Sequence, residues 1–237
     1  SVDYHVIYGN PGLYDVWDSL TDYLTQKFEG LNQDFTIKAA CIDSGGHHTS
    51  QVYKFCKANS GRRWNAIKGA NVSGKPIVGK PSLVGKNRAR LFPVGTDTAK
   101  DEIFSFFRVD EPGPGFCHFP SSYDDSYFKM LCAEKKVTKY RMGNAYQMYQ
   151  KVSASARNEA LDCRVYATAA RMILNPNLGK MADRLESEKL KVKSKKVSEN
   201  ISDAKDSVEK REKRRRMVVK NPFADRRFAN KPFGAWR

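Results

Sequence analysis

Long hydrophobic runs are missing from this chain. No stretch approaches the ~18 uninterrupted apolar residues of a membrane span, so no transmembrane segment and no membrane partner is expected. The opening residues, SVDYHVIYGNPGLYDVW, lack the basic patch and apolar run of a secretory leader. Cysteine is sparse: five residues, an odd number, with no CxxC pair. That argues against a disulfide frame or a thiolate zinc site and predicts buried thiols in a reducing compartment. Histidine is sparser still, at four residues, and no HxxxH or HExxH spacing is present. No Ser–His–Asp or Cys–His–Asp set is legible. His47 and His48 remain candidates for placing a water or touching a phosphate, with a capping or solvated role as the ordinary alternative. No internal repeat appears. Negative charge is also short: 26 acids face 42 Lys and Arg, a formal net charge of +16. Such an excess favours polyanionic partners, nucleic acid ahead of acidic membrane.

What is present falls into two parts. Residues 1–176 mix apolar strands, turn residues and amphipathic helices, whereas 177–237 are rich in Lys, Glu, Ser and Arg. The second part is expected to be a charged basic tail, either an exposed helix or disordered. Its end carries Phe223, Phe228, Phe233 and Trp236 between cations, which suits stacking on bases or docking on a partner. In the first part, DYHVIYG, FTIKAACID, RRWNAIKGA and ARLFPVG read as strands, and GFCHFP as a short one. GLYDVWDSLTDYLTQKF reads as a helix with Leu13, Val16, Trp17, Leu20 and Leu24 on one face. HTSQVYKFCKAN, TDTAKDEIFSFFRV and SYDDSYFKMLCAEKK also read as helices, the second opened by a Thr98–Asp101 capping box. VTKYRMGNAYQMYQKV reads as a hairpin turning at Gly143-Asn144. The alternation predicts an α/β domain with a mixed sheet flanked by helices.

Three stretches carry candidate chemistry. In CIDSGGHHTSQVY, Asp43 ends a strand and Gly45 and Gly46 open a helix. The carboxyl ends of strands in open α/β sheets are where sites form. In ARNEALDCRVYATAARMIL, Glu159 and Asp162 sit three apart on an otherwise apolar helix. Side chains at that spacing share a face, and burying two unpartnered carboxylates is costly, so something must compensate them. One acid at a strand end with one or two on a later helix is how RNase H-like nucleases hold divalent metals, and hard oxygen ligands suit Mg²⁺ or Mn²⁺. The third stretch, IKGANVSGKPIVGKPSLVGKNRAR, nearly matches a phosphate loop from Gly74 to Lys80, but Pro81 stands where a hydroxyl would ligand Mg²⁺. It reads better as a basic loop on DNA phosphates, with Lys68, Lys75, Lys80, Lys86, Arg88 and Arg90 as its cations.

Five motifs in order, CIDSGGHHTSQVYKFCK, AIKGANVSGKP, VGTDTAKDEIF, PGFCHFP and RNEALDCRVYATAA, resemble the nuclease domain of the lambda-like large terminase subunit of tailed bacteriophages, over residues 1–175. The resemblance implies an RNase H-like fold and a metal-dependent endonuclease that cuts concatemeric viral DNA in the host cytoplasm. It implies that Asp43, Glu159 and Asp162 bind a two-metal Mg²⁺ or Mn²⁺ site, and that Lys75 assists cleavage. The terminase ATPase part, the small subunit, and portal or capsid would be partners. The family's first nuclease strand, which bears a further Asp, and its packaging ATPase have no counterpart in these motifs. On that reading the chain is a fragment, a split-gene product or a degenerate copy, and another chain would add the strand to an exposed sheet edge. The alternative is a non-catalytic DNA-binding or assembly module of the packaging machinery.

Overall fold

A computed structural model describes residues 1–30, 34–70, 72, 74–86, 88–191 and 209–213. The chain divides into two compact units, Ser1–Pro176 and Asn177–Arg237. No described helix is long and apolar enough to cross a membrane.

The first unit is built on a four-stranded sheet of order β3-β4-β6-β5, made of β3 (Ala40–Asp43), β4 (Trp64–Ala70), β5 (Ser82–Val84) and β6 (Ala89–Gly95). β3, β4 and β6 run parallel, and β5 pairs antiparallel with β6. Side chains alternate across the pleat, so each strand feeds two layers. On one face Ile67, Phe92 and Val94 pack with Ala99 and Ile103 of α3 (Thr96–Phe106) and Val165 and Ala169 of α5 (Glu159–Leu174). On the other, Ala66 packs with Val52 and Cys56 of α2 (Thr49–Ala58), joined by Trp17 of α1 (Tyr14–Thr25). A third cluster joins α4 (Asp125–Leu131) to α5 through Tyr127, Leu131, Ala160 and Leu161. Two small antiparallel pairs complete the unit: β1 (Lys27–Phe28) with β2 (Phe35–Thr36), and β7 (Glu134–Arg141) with β8 (Asn144–Lys151).

This is the mixed sheet flanked by helices that the alternation of elements implied, with local differences. DYHVIYG is not a strand: Tyr4 packs edge-on against Tyr127 and His5 stacks on Tyr23, so the segment's rings are spent on helices. GFCHFP forms no strand either; Phe119 packs into the rings around Tyr127. FTIKAACID breaks into β2 and β3. Helix α4 stops at Leu131, and the end of the stretch that reads as helix begins β7 at Glu134, whose carboxylate takes Lys100. The hairpin turns one residue earlier than expected, at Met142-Gly143, both with positive φ, as a type I′ turn requires. The capping box at Thr98–Asp101 does not form. Gly95 is the N-cap of α3, Thr98 donates to the Lys75 carbonyl, and Asp101 accepts from Lys136 and Tyr149. The apolar face of α1 buries no residue.

In the second unit residues 178–191 and 209–213 are helical and carry i,i+4 pairs, Arg184–Glu188 at 2.8 Å and Lys213–Glu209 at 2.9 Å. Phe223, Phe228, Phe233 and Trp236 lie outside the described residues.

Leu161 is fully buried where α4, α5 and the aromatic cluster meet. Leu161→Ala is expected to cost about 2–5 kcal/mol in urea unfolding, and Leu24→Ala on α1 about 1 kcal/mol or less. Equal costs would contradict this division between core and surface helix.

Candidate active site at the carboxyl end of the parallel strands

Asp43 is the last residue of β3 and pairs in register with Ile67. Parallel partners point to the same face, so Asp43 faces the α5 layer, where Ile67 lies against Val165. Ser44 locks the turn that follows: it is buried, and both its N–H and its hydroxyl donate to the Ile67 carbonyl, at 2.9 and 2.8 Å. The Gly45 N–H donates to Asp43 Oδ1 at 3.0 Å. A Cβ at Gly45 would come within 3.3 Å of that carboxylate, which is tight, so glycine keeps the strand end open. From α5, the Tyr166 hydroxyl donates to Asp43 Oδ2 at 3.3 Å. Burial, then the charges of Asp43 and Asp162, push the Tyr166 phenol well above its usual range.

Asp162 lies one turn before Tyr166 on the same helix and is half-buried. Burial lifts its carboxyl above the ordinary value; Lys100 pulls it back, and Glu134 and Asp43 push it further up. Glu159, at the first turn of α5, has a different environment. It is exposed and accepts from Arg157 Nε at 3.2 and 3.3 Å. Its own backbone N–H, with help from Arg157, holds its carboxyl low against the burial. Asp43 and Asp162 therefore share one electrostatic neighbourhood, and Glu159 stands at its outer end in an ion pair. Among the described residues no three His, Cys, Asp or Glu side chains converge as a metal cage. Asp43 and Asp162 are the oxygens that could hold a hard cation, with Glu159 within the same helical turn.

Three neighbours escaped the sequence reading. Lys100 of α3 is buried and donates to Glu134 Oε2 at 2.7 Å. The Asn158 amide donates to Glu134 Oε1 at 2.8 Å and to Asp162 Oδ2 at 3.1 Å. The one available signal was Lys100 itself, placed between Ala99 and Ile103 on the apolar stripe of its helix. Glu134 was hidden in a stretch that reads as helix, and Asn158 looks like an ordinary N-cap.

The cationic residues sit outside this network. Lys68, Lys75, Lys80, Lys86, Arg88 and Arg90 are all exposed. Lys75 is held by its backbone: its carbonyl accepts from Thr98 Oγ1 at 2.6 Å, and Gly95 lies so close that a Cβ there would be 2.6 Å from the Lys75 and Pro76 oxygens. The near phosphate loop runs into strand β5, not a helix, and Gly79 N–H donates to the Pro93 carbonyl. Lys68 shares the α2 face with Ala66, opposite to Asp43.

Residues 1–185 match the family model described as "Terminase large subunit gpA, endonuclease domain". The chain belongs to that family. The terminase large subunit of Escherichia phage lambda is 40% identical over 157 residues, which cover 60% of this chain and 24% of that protein. The terminase large subunit of Enterobacteria phage P21 is 31% identical over 178 residues, covering 71% of this chain and 27% of that protein. The chain thus spans about a quarter of the length of the curated relatives it matches. No solved structure matches it.

In this terminase domain the raised Asp162 has a defined pH signature. The folded state holds its proton more tightly than the unfolded chain does. Its stabilising contribution is full below the ordinary Asp range, near ~4, and is lost as pH rises through the raised folded value. In EDTA at pH 7, Asp162→Asn is expected to melt at or above the wild-type temperature, by roughly 2–4 °C for each kcal/mol relieved. A variant that melts several degrees lower would mean that the ionised carboxylate is favoured in the fold.

Proposed function

We propose that this terminase domain is a metal-dependent endonuclease that cuts concatemeric viral DNA during packaging. The observation that carries the reading is the strand-end Asp43 turned toward α5, tied to it by Tyr166 and electrostatically coupled to Asp162. A strand-end acid beside helix-borne acids, on a mixed sheet with parallel strands, supports an RNase H-like arrangement. The donor set fits the cation: Mg²⁺ is commonly held by one or two carboxylates with water and substrate phosphate completing its shell. Asp43 and Asp162 would hold Mg²⁺ or Mn²⁺, with Glu159 as the third ligand once Arg157 yields. When bound, a pair of such ions activates a water and neutralises charge on the cleaved phosphodiester.

The chain's own groups bind and orient. Tyr166 and Gly45 hold the two oxygens of Asp43, so the carboxylate cannot rotate away from α5. Lys75, fixed through its carbonyl at the start of α3, offers a cation to the phosphate being cut. Lys80, Lys86, Arg88 and Arg90 would track the duplex backbone without reading sequence, whereas Lys68, on the opposite face of the sheet from Asp43, would not share that track. β3 ends the sheet, and among the described residues no strand pairs on its other side. A strand from elsewhere in the terminase, added there, would place its residues beside Asp43. The ATPase part, small subunit, portal and capsid are the partners this role requires.

Two outcomes test the reading. With Mn²⁺ and the rest of the large subunit present, Asp43→Ala, Glu159→Ala and Asp162→Ala are each expected to lower cutting of plasmid DNA by at least ~10²-fold, with melting little changed. Wild-type cutting by the Asp43 variant would refute the site, and binding of DNA without any cutting would favour the assembly-module reading. Neutralising Lys75, Lys80, Lys86, Arg88 and Arg90 is expected to flatten the dependence of log K on log salt by about 0.9 per lost phosphate contact. An unchanged slope would place DNA on another surface.

A further inference from the structure

Lys100 is a cation taken out of water in a protein with cations to spare, and the mechanism above does not use it. Its side chain is 9% exposed, and that of its partner Glu134 is 6% exposed. Burying both charges is costly unless the attraction and further hydrogen bonds offset it. Geometry shows where the pair leads. One oxygen of Glu134 takes Lys100 Nζ at 2.7 Å and the other takes the Asn158 amide at 2.8 Å. The same amide nitrogen reaches Asp162 Oδ2 at 3.1 Å, so it bridges two carboxylates, one N–H to each. Lys100 also lies over the Tyr149 ring at 5.8 Å, and Tyr149 donates to Asp101, which also takes Lys136. Asp101 is thereby engaged elsewhere, and Lys100 is committed to Glu134.

We propose that Lys100, Glu134 and Asn158 form a positioning relay that holds the Asp162 carboxylate toward Asp43 and keeps Glu134 from competing for the cation. This rests on the reading of Asp43 and Asp162 as ligands. Without the amide, Glu134 and Asp162 would face each other as like charges. Without Lys100, Glu134 would be an unpaired carboxylate that draws the cation away from Asp43. With both in place, Glu134 is neutralised and doubly bonded, and one oxygen of Asp162 is fixed while the other stays open. Outer groups of this kind typically change metal affinity or activity by 10–100-fold.

Asn158 is the member that can be removed cleanly. It stands at the N-cap of α5 without a side-chain cap bond and holds Glu134 Oε1, while Lys100 holds Oε2, so Asn158→Ala removes the bridge and not the ion pair. Asn158→Ser is the second variant: serine favours an N-cap, and one hydroxyl cannot bridge two carboxylates. The full chain is titrated with Mn²⁺ by the electron paramagnetic resonance signal of free ion, alongside melting and Mn²⁺-dependent plasmid cutting in the large subunit. Both variants are expected to melt within a few degrees of wild type, to bind Mn²⁺ about 10–100-fold more weakly, and to regain cutting at high Mn²⁺. Asp162→Ala is expected not to regain it. Wild-type Mn²⁺ affinity in both Asn158 variants, with Asp162→Ala impaired, overturns the relay and leaves the site standing. Wild-type affinity and cutting in Asp162→Ala overturns the site and the relay together.

Discussion

The packing of α5 across the parallel strands is the contact on which the rest depends. Val165 and Ala169 are completely buried against a layer that includes Ile67 and Val94. Because β3 is in register with β4, seating α5 on Ile67 also sets it opposite Asp43. The helix is narrow on this side, alanine and valine in place of leucine, and that lets Tyr166 reach a strand end at hydrogen-bond distance. On its flank, Ala160 and Leu161 lock α5 to α4. The same helix that closes the core therefore brings Tyr166 to the Asp43 strand end, so core packing and the candidate site share one helix.

Polar groups follow two regimes. Among the described residues, the candidate DNA-binding cations Lys68, Lys75, Lys80, Lys86, Arg88 and Arg90 are exposed, where long side chains remain solvated. Inside, among the described residues, no buried polar side-chain atom lacks a hydrogen-bond partner. Two of the five thiols share the apolar regime: burial pushes Cys41 and Cys56 up to about 12, which leaves them as packing groups; Cys132 and Cys163 are exposed, against the expectation of buried thiols.

Legibility followed periodicity and chain-local signals. Helices α2, α3 and α5 and strands β4 and β6 were readable because each keeps an apolar period over seven or more residues. Asp43 was readable because a β-rich run ends there and two glycines follow. DYHVIYG and GFCHFP misled because aromatic residues that look like strand formers are used as plugs between helices. Glu159 and Asp162 looked equivalent at i,i+3, and their neighbours divided them: Arg157, two residues away, takes one, while Asn158 and the sequence-distant Lys100 shape the other. The Lys100–Glu134 contact spans 34 residues and joins elements whose local patterns say nothing of each other. Such pairs are written in the fold and not in any window of sequence.

The central claim is that the end of β3 and the first turns of α5 share a cation. Anomalous scattering from crystals of the chain grown with Mn²⁺ and a short DNA duplex tests it most directly. The account predicts a manganese peak within bonding distance, about 2.1–2.2 Å, of a carboxylate oxygen of both Asp43 and Asp162. A peak bound to neither residue, or to Glu134 after it has left Lys100, would contradict it.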